Sequence, residues 1–312
     1  MKNKKIMKIG LVFILLIMSV VLMSETVAEP PSNFSEPGAG LSESNPYLIS
    51  NLANLRWLSE TMSAWGTAAR RFHYLQTADI DATETRHWNQ GAGFSPIGYG
   101  HHEEYLRRHF MSNYDGGGHI ISNLYINRPN QDHVGLFGRV DRSVVSNLTL
   151  EGVYVIGYDY VGGMVGGITT DSVNINAFAW LNNNNVHGRV QGNLQVGGLV
   201  GSVIHRRTEV FHSYANVNVL GTDFVGGLIG ALIQATVRES AAFGYVSGAW
   251  CVGGLIGMVA FGTSLNTPVI NCFATGNVNG NDHVGGLVGY NMSGIIDKSY
   301  SIGVHSEKSN HP

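Results

Sequence analysis

The densest run of metal-ligating side chains is His101-His-Glu-Glu-Tyr-Leu-Arg-Arg-His109. A zinc peptidase of the His-Glu-x-x-His kind needs two imidazoles one helical turn apart, so that both reach one ion while the Glu deprotonates its water. After His102-Glu103 the second His would have to stand at position 106, which is Leu106. The zincin spacing fails. His101, His102 and His109 could still meet a surface metal; the competing reading is a solvated polar loop.

Four carboxylates recur at one place. Asp132, Asp159, Asp223 and Asp282 each stand two residues before a Val that opens a Gly-rich block. Stacked on neighbouring turns they could ligate Ca²⁺ or act as the acids of a polysaccharide-cleaving site. Leu194 and Trp250 hold the same place in two other repeats, however, and the Gly-Gly-x-Gly-x-Asp calcium pattern is absent. An Asp at such a position more often caps a turn.

A third set is Ser213, Ser240, Cys272 and Ser299, at matching positions and followed by Tyr214, Ala241, Phe273 and Tyr300. A stack of aromatics could bind sugar rings; an internal packing ladder is the simpler expectation. Cys272 replaces a Ser in this set, which argues for slot-filling. Cys251 and Cys272 are the two cysteines and could pair in an oxidising compartment. Zinc would need further ligands at set spacing. The residues therefore nominate no catalytic, cofactor-binding or metal site, and no cofactor.

The elements that would position these side chains come from a repeat. One block occurs six times: Val134 to Gly138, Val161 to Gly166, Val196 to Gly201, Val225 to Gly230, Val252 to Gly257 and Val284 to Gly289. Successive starts are 27, 35, 29, 27 and 32 residues apart. A second motif, x-Val-x-Gly, ends at Gly157, Gly192, Gly221, Gly248 and Gly280, always four residues before the next block-opening Val. Between them lies a variable stretch, in which 182–185 and 263–267 read as insertions. A constant segment paired with a variable one is what a solenoid produces, because inserted loops leave the coil on one side. Val, Leu and Ile alternate with Gly or small polar residues, as strands with one buried face require. Helical heptads are absent. The expected fold is an all-β parallel β-helix of about six coils, with roughly three short strands in each.

Residues 46–130 differ from the repeats and are expected to cap the first coil. They contain one short helix, with Leu52, Leu55, Leu58 and Met62 at helical spacing and Asn51 or a neighbour as cap. The organisation is then a signal peptide over 1–28, a linker over 29–45, the capping segment over 46–130, repeats over 131–306 and a polar tail over 307–312. The signal peptide rests on Lys2, Lys4, Lys5 and Lys8 before an apolar run, with Thr26 and Ala28 placing the cut after Ala28.

Composition limits the partners. Removing 1–28 takes away four Lys and one Glu and moves the formal charge from −3 to −6. An acidic chain with 13% charged residues is a poor nucleic-acid binder. After signal cleavage no stretch is apolar enough to span a membrane. The partner class left is an extracellular glycan or protein, or the rest of a longer chain, because the sixth block is followed by no visible cap.

These motifs resemble the GLUG-repeat family of bacterial surface proteins, named for a Gly-Leu-hydrophobic-Gly signature. It stands as Gly198-Leu-Val-Gly201, Gly227-Leu-Ile-Gly230, Gly254-Leu-Ile-Gly257 and Gly286-Leu-Val-Gly289, with Met164 replacing Leu in the second block. Residues 45–50, Asp79-Ile-Asp81, Pro96-Ile-Gly98 and 115–126 resemble what precedes the repeats in that family. The resemblance implies secreted or cell-surface proteins, adhesin-like or accessory to immunoglobulin A-cleaving metallopeptidases, and no catalytic residue within the repeats. It leads to a non-catalytic adhesion or scaffolding module that binds ligands through the faces of the solenoid, with a polysaccharide-active β-helix enzyme, or an accessory repeat region of a larger secreted peptidase, as the alternatives.

Overall fold

The computed structural model describes residues 25–99, 109–169, 178–204, 207–260 and 267–307. The body of the expected signal peptide, most of the His101 to His109 run and most of the 263–267 stretch lie outside these residues.

The chain winds as a parallel β-helix of about eight turns. In one coil, Thr208–Phe211 lies in sheet I, Tyr214–Leu220 in sheet II, Asp223–Gly226 in sheet III and Ile229–Ile233 in sheet IV. Each strand pairs in parallel with its equivalent in the next coil. The full repeats thus hold four strands where about three were expected. The cause is the Gly-rich block, which is a corner rather than one strand: Val225 and Gly226 end sheet III, and Ile229 begins sheet IV.

The coil count also exceeds the expected six, because the 46–130 segment supplies rungs. Tyr47–Ile49, His73–Gln76 and Asn113–Asp115 are the first three strands of sheet I. Ile80–Asp81 and Ile120–Ser122 begin sheet II. Helix α1, Leu52–Glu60, starts where Asn51 Oδ1 accepts the Asn54 backbone N–H at 2.9 Å. It buries Leu55 and Leu58 in the common core. Residues 29–45 are packed rather than a linker: Asn33 and Ala39 are buried, and Asn54 Nδ2 donates to the Glu29 and Pro30 carbonyls at 3.0 and 3.1 Å.

The six block-opening Val residues fall in one column. Val134 bridges to Val161, and the register continues through Val196, Val225, Val252 and Val284. The first five are fully buried, each contributing about 1.5–3 kcal/mol by leaving water. Val284, Leu287 and Val288, in the last described coil, are partly buried against the same core.

The block glycines are demanded by space, since none of them adopts positive φ. A Cβ on Gly226 would meet the Ile229 carbonyl oxygen at 2.0 Å, which makes the corner too tight for a side chain. A Cβ on Gly227 would meet the Gly254 carbonyl of the next coil at 2.2 Å. Left-handed residues that are not Gly recur at two other places in the coil. Asn147, Asn183, His212, Glu239, Asn271 and Lys298 turn the chain from sheet I to sheet II. The residue before each block-opening Val, such as Gln195, Phe224 and Cys251, is also left-handed. The 182–185 run, expected as an insertion, is itself a sheet I to sheet II corner, with Asn183 at φ 55° and Asn184 buried.

Candidate functional site

The Ser/Cys positions form a row inside that corner, coil upon coil. Leu148 N–H donates to Asn184 Oδ1 at 3.2 Å, Asn184 N–H to Ser213 Oγ at 3.2 Å and Ser213 N–H to Ser240 Oγ at 3.2 Å. Cys272 N–H donates to Ser299 Oγ at 3.0 Å. Each hydroxyl in turn donates to the carbonyl two residues earlier, at 2.9 Å for Ser213 and 2.8 Å for Ser240. Cys272 Sγ does the same to Ile270 at 3.2 Å. Both cysteines are free and buried. Burial pushes the Cys251 thiol up to about 12 and the Cys272 thiol up to about 11, so neither is a nucleophile at neutral pH.

The aromatics that follow this row are not the internal ladder expected. Alternation along Tyr214–Leu220 places Ala215, Val217 and Val219 inside, and Tyr214, Asn216 and Asn218 outside. Tyr214, Phe273 and Tyr300 share one register column through Ala241. Ala241 leaves a gap there, and Phe243, two residues along the same face, fills it. Ring centroids run 6.4 Å from Tyr214 to Phe243, 5.6 Å on to Phe273 and 5.5 Å on to Tyr300. Tyr214, Phe243, Tyr245 and Tyr300 are 38%, 39%, 41% and 56% exposed.

The polar groups on this face are amides and hydroxyls. Asn218 and Asn277 occupy the rungs before and after Tyr245; Asn218 Oδ1 accepts the Tyr245 N–H at 3.3 Å and Asn277 Oδ1 the Val304 N–H at 3.1 Å. Segments 214–220, 241–247, 273–279 and 300–304 contain no Asp, Glu, Lys, Arg or His. Nearer the N-terminus the same sheet carries ionisable side chains: Glu151, His187 and Arg189, whose guanidinium lies 5.8 Å from the Tyr154 ring centroid.

The recurring carboxylates act between coils. Asp132 Oδ1 accepts the Asp159 N–H at 3.3 Å, and Asp159 Oδ1 accepts Asn193 Nδ2 at 2.9 Å and the Leu194 N–H at 3.1 Å. Burial raises the Asp132 carboxyl above its ordinary range, with Asp159 adding to the shift. Further along, Leu194, Asp223, Trp250 and Asp282 share one column, so Trp250 separates the last two carboxylates. Among the described residues no group of three or more His, Cys, Asp or Glu is placed to hold a metal ion.

A groove of about 280 Å³ over the first coils is lined by Glu43, His73, Asn113 and Asp115, with Tyr74 and Tyr114 beneath. Asp115 is engaged there as a turn cap, its Oδ1 accepting the Gly117 N–H at 2.9 Å and Asn147 Nδ2 at 3.0 Å. Sequence reasoning missed this groove, because Glu43, His73 and Asp115 belong to different coils and no motif links them.

No family model matches the chain. It is 39% identical over 168 residues, 53% of its length, to halomucin of Haloquadratum walsbyi. It is 30% identical over 218 residues, 61% of its length, to a protein of Evansella cellulosilytica provisionally named a Gly-rich membrane protein. The chain spans 2% of the first relative and 23% of the second. Among solved structures it resembles a chain from Bacteroides ovatus provisionally named an immunoglobulin A1 protease, with a TM-score of 0.68 over 86% of this chain and 79% of that one. At 20% identity that likeness shows the fold: the chain is a parallel β-solenoid of the same build.

Proposed function

We propose that this chain is an extracellular or cell-surface binding and scaffolding module of the GLUG-repeat kind, non-catalytic, exported by its N-terminal segment. The observation that carries the reading is the outer face of sheet II between Tyr214 and Val304. Exposed rings there pack on one another outside the core, with Asn218 and Asn277 in the neighbouring column. Exposed apolar patches on a rigid scaffold mark contact surfaces. The relatives' names, halomucin and a Gly-rich membrane protein, fit display at or outside the membrane. Among the described residues no helix is long and apolar enough to cross a bilayer.

A polysaccharide-cleaving enzyme is the second reading, and the groove bearing Glu43, His73 and Asp115 favours it. Against it, Asp115 already serves as a cap. The test is to display residues 29–312 to glycan and host-protein arrays while following product release from any ligand captured. Capture of an intact ligand supports the module. Release of shortened fragments, abolished in Glu43→Gln, replaces it with the enzyme.

A further inference from the structure

Resting on that reading, the chemistry of the aromatic face narrows its ligand. An anionic or cationic partner would lose hydration against a ring row that returns little counter-charge, since segments 214–220, 241–247, 273–279 and 300–304 hold no ionisable residue other than Tyr, and the His212–Glu239 pair and His305 and Glu307 of the last strand lie at the margins of the row. The N-terminal part of the same sheet carries Glu151, His187 and Arg189, so the lack of charge is a property of this zone alone.

The rings stand on parallel strands whose neighbours lie about 4.8 Å apart, and the Tyr214, Phe243, Phe273 and Tyr300 centroids follow one another at 6.4, 5.6 and 5.5 Å. Phe243 and Phe273 are nearly perpendicular, at 78°, so the row offers both ring edges and ring faces. Beside it, Asn218 and Asn277 spend their Oδ1 atoms on the backbone, and both residues are exposed. A ligand that matches must be uncharged, apolar on one side of each unit, rich in hydrogen-bonding groups at its edges and repetitive along the solenoid axis. A repeating polymer meets several rungs at once and gains by multivalency. A globular protein without internal repeats has no such translational match, and a second solenoid would register as a dimer.

We infer that the outer face of sheet II binds a neutral polysaccharide, its pyranose units stacked on the Tyr214, Phe243, Phe273 and Tyr300 row and its hydroxyls bonded to Asn218 and Asn277.

The probes are mannan, xylan and dextran as neutral polymers, with polygalacturonate and heparin as anionic ones, each run against residues 29–312 by affinity electrophoresis and calorimetry. Phe243→Thr and Tyr245→Asn are the variants, because the neighbouring rungs carry Thr275 and Asn277 at those positions and the coil accommodates them. At least one neutral polymer binds, with affinity unchanged from low to high salt. Each variant weakens that binding about tenfold, the scale of aromatic truncation at an interface. Trp180→Ala, on sheet I, leaves it unchanged. Binding of the anionic polymers alone, a protein ligand lost in Phe243→Thr with no polymer bound, or a dimer that dissociates in Phe243→Thr would each overturn this inference while leaving a binding module standing. Failure of every polymer and every array ligand removes both.

Discussion

Gly221 and Val225 occupy one space: a Cβ built on Gly221 would lie 2.7 Å from Val225 Cγ2. The same holds for Gly157 with Val161, at 2.7 Å, and for Gly280 with Val284, at 2.7 Å. The invariant four-residue gap between the two repeat motifs is therefore a packing contact inside each coil, where the block-opening Val fills the volume its own Gly vacates.

Gly221→Ala accordingly overpacks a fully formed coil. The expected loss is about 1–3 kcal/mol, read as a lower denaturation midpoint in guanidinium. An unchanged midpoint would mean that the coil has slack the structure does not show.

The Ser row supplies a second test. Ser240→Ala leaves the buried Ser213 N–H without its 3.2 Å acceptor, at a cost of about 1–3 kcal/mol. Cys272→Ser restores the residue type of the neighbouring coils, and its loss of stability is expected to be smaller than that of Ser240→Ala. Equal destabilisation by both changes would contradict the row.

Thiol chemistry follows from the same burial. With both thiols pushed above the ordinary range, to about 12 and about 11, almost no thiolate exists at pH 8. Ellman's reagent is expected to label neither cysteine in the native protein and both after unfolding. Rapid native labelling would show that the cysteines are accessible.

Acid pH acts on the turn after the Ile80–Asp81 strand. The Thr83 hydroxyl and backbone N–H, with Asn123 Nδ2, hold the Asp81 carboxyl below its usual range. Because its folded value is the lower one, its contribution is present above the ordinary Asp range and lost as pH falls through the folded value. The melting temperature of the native chain should exceed that of Asp81→Asn at neutral pH and converge with it in acid. A gap that widens on acidification would reverse the sign.

What the sequence made legible was whatever recurs. The block-opening Val column, the parallel register and the Ser213, Ser240, Cys272, Ser299 row all follow from period alone. Facing did not: Tyr214 lies one residue past an internal Ser at a corner, and a one-residue step sends a side chain to the opposite face. The four-sheet coil was hidden because the Gly-rich block reads as one strand, whereas its glycines turn the chain from sheet III to sheet IV. The expected insertion at 182–185 was misread for a related reason, since Asn183 and Asn184 are corner residues whose side chains bond to neighbouring coils.

The central claim is that the outer face of sheet II is the contact surface and that contact is all it makes. The direct measurement is surface plasmon resonance of an array-selected ligand against the native 29–312 chain and the Phe243→Thr, Tyr245→Asn double variant, with the ligand recovered and sized afterwards. The account predicts loss of binding in the double variant, unchanged circular dichroism and a ligand of unaltered length. Full binding by a folded double variant, or a shortened ligand, would contradict it.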